Sequence, residues 1–183
     1  DFCDGFAARL LGQYSPVGKE LDSLADVVSF GLLPSLIFMA LFLAMGGAQA
    51  WSLLALIVVL FSALRLAKFN IDESQSDSFV GLPTPACALF AGSLGWHITT
   101  TGATMEAWLI MALAVVFAVL LIVPLRMFSL KFHGFAPKGI NLLRYGFLLV
   151  SAVMIIIGGL SAVAWIIILY IVTSVIMSLT GKN

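Results

Sequence analysis

The chain has 183 residues, 62% of them hydrophobic and 10% charged, with nine basic and nine acidic side chains and a formal net charge of zero. A soluble domain carries roughly 25% charged residues, so this composition, with a mean hydropathy of +1.14, excludes that class and leaves an all-α, polytopic membrane helix bundle. A neutral chain without a basic run also excludes nucleic acid as a partner.

Residues 1–9, Asp1-Phe2-Cys3-Asp4-Gly5-Phe6-Ala7-Ala8-Arg9, read as helix that starts before Asp1, so the chain is expected to be a fragment lacking its natural N-terminus. If residues 1–11 are helical, Asp1, Asp4, Gly5 and Ala8 share a face, because positions three and four apart are neighbours. Residues 12–17, with Gly12 and Pro16 as breakers, predict a turn. Beyond it Gly18, Asp22 and Asp26 lie along one line of the next helix. Apolar runs then predict spans at residues 21–45, 50–66, 84–100, 107–125, 145–157 and 162–179, most of them about 17–25 residues, the length that crosses ~30 Å of hydrocarbon. The whole chain, 1–183, is thus expected to be one integral membrane domain of one truncated helix plus six spans. Pro34, Pro124, Gly31 and Gly95 inside these runs read as kinks or close packing. Ala88-x3-Gly92 and Ala91-x3-Gly95 read as helix-contact patches. Cys3 and Cys87 have no CxxC spacing and read as small packing residues.

Six spans put all nine basic residues, Arg9, Lys19, Arg65, Lys68, Arg126, Lys131, Lys138, Arg144 and Lys182, on one side, which the positive-inside rule makes cytoplasmic. Trp51, Trp96, Trp108 and Trp165 fall near the opposite ends, as an interfacial belt does. His97 lies near that outer side and reads as structural; His133 reads as a loop residue. The expected setting is multi-pass, in a bacterial inner membrane, with the acidic cluster opening to the cytoplasm.

Four carboxylates at the head of so apolar a chain need a cationic partner, since an acid at the bilayer centre costs ~2.5–3.5 kcal/mol on insertion scales. Two antiparallel helices joined by the short turn bring the aspartate pairs face to face. Asp1, Asp4, Asp22 and Asp26 offer only oxygen, with no His or Cys in register, which suits Mg²⁺ or Mn²⁺ better than zinc. Four charges suggest one or two ions of the kind that clamp a phosphoryl or diphosphate group. The other reading, solvated acids in a loop, explains neither the helical spacing nor the small residues Gly5, Ala8 and Gly18 on the same faces.

The order D-x2-D-G-x2-A-R-x8-G-x3-D-x3-D is met at every fixed position by Asp1, Asp4, Gly5, Ala8, Arg9, Gly18, Asp22 and Asp26. It resembles the signature of the CDP-alcohol phosphotransferase (CDP-alcohol phosphatidyltransferase) family, integral membrane enzymes of phospholipid synthesis. A second constellation, Arg65 and Lys68 closing one span and 81–86 (Gly-Leu-Pro-Thr-Pro-Ala) opening the next, reads alone as snorkelling cations and helix-starting prolines. Beside the aspartates, these cations can instead hold a diphosphate or an acceptor's carboxylate. With residues 20–31 they resemble the phosphatidylserine synthase branch of the family. The likeness covers roughly residues 1–90; the second half reads as generic membrane helix.

The resemblance implies transfer of a phosphatidyl group from CDP-diacylglycerol to the hydroxyl of L-serine with release of CMP. It implies Asp1, Asp4, Asp22 and Asp26 as ligands of Mg²⁺ or Mn²⁺, Gly5, Ala8, Arg9 and Gly18 as the nucleotide-lipid subsite, and Asp26 as general base. Arg65 and Lys68 are candidate acceptor or phosphate contacts. Membrane lipid surrounds the chain, and a homodimer is carried as a further expectation. Two alternatives stay open: a sibling transferase using a glycerol phosphate or inositol phosphate acceptor, and a divalent-cation transporter with the aspartates as its transport site.

Overall fold

A computed structural model describes residues 16–71, 79–127 and 140–180. Asp1, Asp4, Gly5, Ala8, Arg9 and His133 lie outside the described residues. The first rod runs from 16 to 44 as α1 (Pro16–Asp26), a π-helical turn (Val27–Leu32) and α2 (Leu33–Ala44). The cause of the π turn is in the sequence. Pro34 has no N–H to give the carbonyl four residues back and its ring crowds that carbonyl. Just upstream the ladder widens, and the Leu33 N–H reaches the Val28 carbonyl five residues back. The Ser35 hydroxyl donates to the Gly31 carbonyl four residues back at 2.8 Å, a bond that favours bending of a helix.

The second rod comprises α3 (Gln49–Ser52), a 3₁₀ turn (Leu53–Leu56) and α4 (Ile57–Ile71), so the helix expected to close near Leu66 runs on to carry Lys68 and Asn70. It packs antiparallel to the first. Ser62 of α4 sits so close to Gly31 that a Cβ there would stand 2.9 Å from the Ser62 Cβ. Asn70 Nδ2 donates to Ser23 Oγ at 2.9 Å near the other end of the pair.

Two proline-limited helices complete the first half. α5 (Thr84–Thr101) starts on prolines and ends at Gly102 with φ +68°, the left-handed conformation that closes many helices. α6 (Ala107–Ile122) stops where Val123 turns extended before Pro124. Phe38, Phe90 and Phe117 form the centre of the core; the Phe90 and Phe117 rings stack with centroids 4.1 Å apart. Near one end the Trp108 ring meets Phe42 and Trp51 edge-on. The four tryptophans are each half exposed or more, as side chains facing lipid headgroups are.

One feature had no periodicity to announce it. β1 (Phe79–Val80) pairs antiparallel with β2 (Arg126–Met127), Phe79 opposite Met127 and Val80 opposite Arg126. The chain leaving β1 then caps α6: Gly81 N–H donates to Leu125 O at 2.9 Å and Leu82 N–H to Leu120 O at 2.8 Å. Gly81 has φ +79°, and a Cβ on it would run into the Leu121 carbonyl oxygen. Both the backbone region and the space therefore require glycine. Gly81→Ala is expected to cost about 1–3 kcal/mol, read as a lower unfolding midpoint in detergent.

α7 (Ile140–Gly158) and α8 (Ala162–Thr180) form a hairpin about a 3₁₀ turn at Gly159–Ser161. The proof is the Phe147 ring 6.2 Å from that of Tyr170, positions that a straight helix would separate by about 34 Å. Gly159, at φ +55°, makes the reversal. Ser93 of α5 pins it: its hydroxyl donates to Leu160 O at 2.7 Å and accepts from the Ala164 N–H at 2.8 Å. Helix α7 starts before Tyr145, so Arg144, read from sequence as part of a basic link, is a buried helical residue whose Nη1 donates to Asn141 Oδ1 at 3.0 Å. Three stretches, Glu20–Ala44, Gln49–Ile71 and the hairpin Asn141–Thr180, are long and apolar enough to cross a membrane. The whole is the helix bundle of a polytopic membrane protein.

Candidate active site

Asp22 and Asp26 stand one turn apart on α1, both half-buried, with Gly18 a turn earlier and exposed. Their spacing puts them on the same stripe of the helix. Asp26 is the last α-helical residue before the π turn, and its side chain makes no capping bond to that turn. Such turns, with their widened ladder, recur at functional sites because the extra residue re-aims the side chains on either side.

Helix α4 delivers the opposing charge. Arg65, only 8% exposed, interacts electrostatically with Asp26 of α1 and with Tyr170 of α8. Its Nε is buried and has no hydrogen-bond partner. A guanidinium held in such a place with a donor left over is organised for an anionic acceptor, since an unmet buried donor costs about 1–3 kcal/mol. Lys68, a turn along and exposed, joins Arg65 in lining a cleft of about 50 Å³ with Phe69, Val80, Leu121 and Ile122. That volume admits a carboxylate or another small group. The Ser23–Asn70 bond ties the two helices together beside Asp22.

The described residues thus bring together Asp22, Asp26, Arg65 and Lys68 near one end of the bundle. Among the described residues there is no group of three or more His, Cys, Asp or Glu side chains positioned to share a metal ion; Asp1 and Asp4, the other two expected ligands, lie outside them. Asp22 and Asp26 supply oxygen donors of the type a hard divalent ion takes, so what is present fits as half of the expected set. Sequence reasoning missed Tyr170, which reaches the site from the far half of the chain, and the walls Val80, Leu121 and Ile122. The one available signal for the walls was the Gly81-Leu82-Pro83 run, which fixes Val80 against α6. Nothing local marks Tyr170.

Comparison with known proteins adds an independent line. The family model described as CDP-alcohol phosphatidyltransferase matches residues 1–123. A protein of Helicobacter pylori J99 named CDP-diacylglycerol–serine O-phosphatidyltransferase is 44% identical over 91 residues, 49% of this chain and 38% of that protein. Proteins of the same name from Bacillus subtilis 168, 44% identical over 93 residues (50% of this chain, 49% of that protein), and Methanocaldococcus jannaschii, 43% identical over 89 residues (49% and 41%), are similarly close. The matched segments cover half or less of the length of each of these curated relatives.

Proposed function

The chain belongs to the CDP-alcohol phosphatidyltransferase family, and from that premise we propose that it serves transfer of the phosphatidyl group of CDP-diacylglycerol to the hydroxyl of serine. The observation that carries the proposal is Asp26 placed beside a buried arginine, one turn from Asp22, in a chain 43–44% identical over half its length to proteins bearing that activity's name. The serine oxygen attacks the lipid-side phosphorus of the diphosphate, the phosphorus–oxygen bond to CMP breaks, and CMP leaves. Asp26 takes the serine proton, provided its carboxylate comes within about 2.6–3.2 Å of the hydroxyl.

Asp22 and Asp26, with Asp1 and Asp4, would hold one or two Mg²⁺ or Mn²⁺ ions. A divalent ion bound there supplies neutralisation of the diphosphate charge, the dominant requirement of phosphoryl transfer. Arg65 and Lys68 orient the acceptor through its carboxylate, as charge-assisted donors do. The cleft they line has room for the acceptor's carboxylate. Gly5, Ala8, Arg9 and Gly18 make the nucleotide subsite in this reading. The one-sided distribution of basic residues supports a site on the cytoplasmic face, and in this reading the membrane is a bacterial inner membrane.

The test is CMP release from CDP-diacylglycerol with Mg²⁺ or Mn²⁺ and, separately, serine, glycerol 3-phosphate or inositol phosphate. Release with serine alone is expected. Release only with a phosphorylated acceptor overturns the acceptor assignment, and release with none overturns the activity.

A further inference from the structure

The family match ends at residue 123, before the C-terminal hairpin begins, yet the hairpin reaches the active site. Helix α8 packs against strand β2, and β2 pairs with β1, whose Val80 lines the same cleft as Arg65 and Lys68. This stacking brings Tyr170 of α8, half-buried, to Arg65, with which it interacts electrostatically. The other hairpin arm fixes the Tyr170 ring: Phe147 meets it edge-on with centroids 6.2 Å apart. The Tyr170 side chain hydrogen-bonds with that of Ser174, one turn along and only 1% exposed. Ser174 donates its single hydroxyl proton to the Tyr170 carbonyl at 2.8 Å. The bond between the two hydroxyls therefore carries the tyrosine's proton, which leaves the lone pairs of the phenol oxygen for a cation.

We propose that Tyr170 is a positioning residue: from the C-terminal hairpin it holds the Arg65 guanidinium in place, so that Arg65 presents its charge to the carboxylate of the acceptor. The inference rests on the serine-transfer reading above. Arg65 is buried, its Nε has no hydrogen-bond partner, and the carboxylate that interacts with it is Asp26. In that reading Asp26 also takes the serine proton. On doing so it loses its charge, and its pull on the guanidinium ends during the reaction. The phenol oxygen keeps its dipole throughout. A neutral partner has a second consequence, because it leaves the positive charge of Arg65 uncompensated for the incoming carboxylate. A second Asp or Glu at position 170 would compete with the substrate for the same donors. Tyrosine supports the arginine without occupying it.

Two measurements test this. Tyr170→Phe keeps the ring and its contact with Phe147 and removes only the oxygen. Its KM for serine is expected to rise about tenfold, as loss of one polar contact to a charged group does, with kcat and the affinity for CDP-diacylglycerol close to wild type. KM does not depend on the folded fraction, so partial unfolding cannot imitate this result. In an Arg65→Met background the same change is expected to alter that KM by less than about twofold, because the two residues act through one contact. A serine KM that Tyr170→Phe leaves unchanged, or raises equally in both backgrounds, overturns the proposal. The second measurement needs no turnover. With the arginine nitrogens of the full chain isotopically labelled for NMR, the Arg65 Nε resonance is identified by its loss in Arg65→Met. It is expected to shift in Tyr170→Phe, where the aromatic ring is retained. An unmoved resonance overturns the contact whatever the activity. A shifted resonance in a protein that releases no CMP with any acceptor refutes the transfer reading and leaves Tyr170 as the support of Arg65.

Discussion

Asp26→Asn is expected to abolish CMP release, with kcat down by at least about 10³-fold, while most of the affinity for CDP-diacylglycerol survives. General-base catalysis contributes about 10²–10⁴-fold, and the amide cannot accept the serine proton. The affinity survives because Asp22, Asp1 and Asp4 remain to hold the diphosphate through its ion. Folding is expected to survive with a lower unfolding midpoint: Asp26 makes no capping bond to the π turn that follows it, but the amide removes the charge with which the buried Arg65 interacts. Three readouts distinguish the outcomes: CMP release, equilibrium binding of the nucleotide lipid, and the unfolding midpoint. Turnover near wild type would remove Asp26 from the proton-accepting role. Loss of binding together with turnover would make it an ion ligand first.

What could be read from the sequence, and what could not, follows from the range of the interactions. The six helical rods were legible because a membrane demands long apolar runs, and the breaks at Gly102 and Gly159 follow from the same local chemistry that marks them as turn residues; Pro124, read as a kink inside the span 107–125, instead ends that helix at Ile122. The Asp22–Asp26 stripe was legible because helical periodicity is a local rule. The π turn at Val27–Leu32 was not: its cause, Pro34, was visible, but proline equally permits a plain kink, and the choice depends on Gly31 seating against Ser62 of another helix. Ser23 and Asn70 are 47 residues apart and Tyr170 is over 100 from Arg65, so no periodicity connects them. Two-residue strands such as β1 and β2 are too short to show alternation.

Replacing Arg65 with Met separates function from stability. The substitution keeps an unbranched apolar stem and removes the charge. The kcat/KM for serine is expected to fall about 10²–10³-fold, on the order of 2.7–4 kcal/mol, the range seen when one preorganised electrostatic donor is deleted from an active site. The fall should be mostly in KM, because Arg65 and Lys68 are assigned to orienting the acceptor. Stability should move little or rise. Arg65 is buried with its Nε unmatched, and exchanging a buried charge for an apolar side chain is often neutral or stabilising by about 1–4 kcal/mol when no partner is left stranded. Asp26 is half-exposed, so it can recover hydration once the guanidinium is gone. Arg65→Lys gives the intermediate case, since an ammonium keeps the charge and loses the planar fork. A guanidinium that served only the fold would give the reverse pattern: a lower unfolding midpoint for Arg65→Met, with the KM for serine unchanged in the fraction that remains folded.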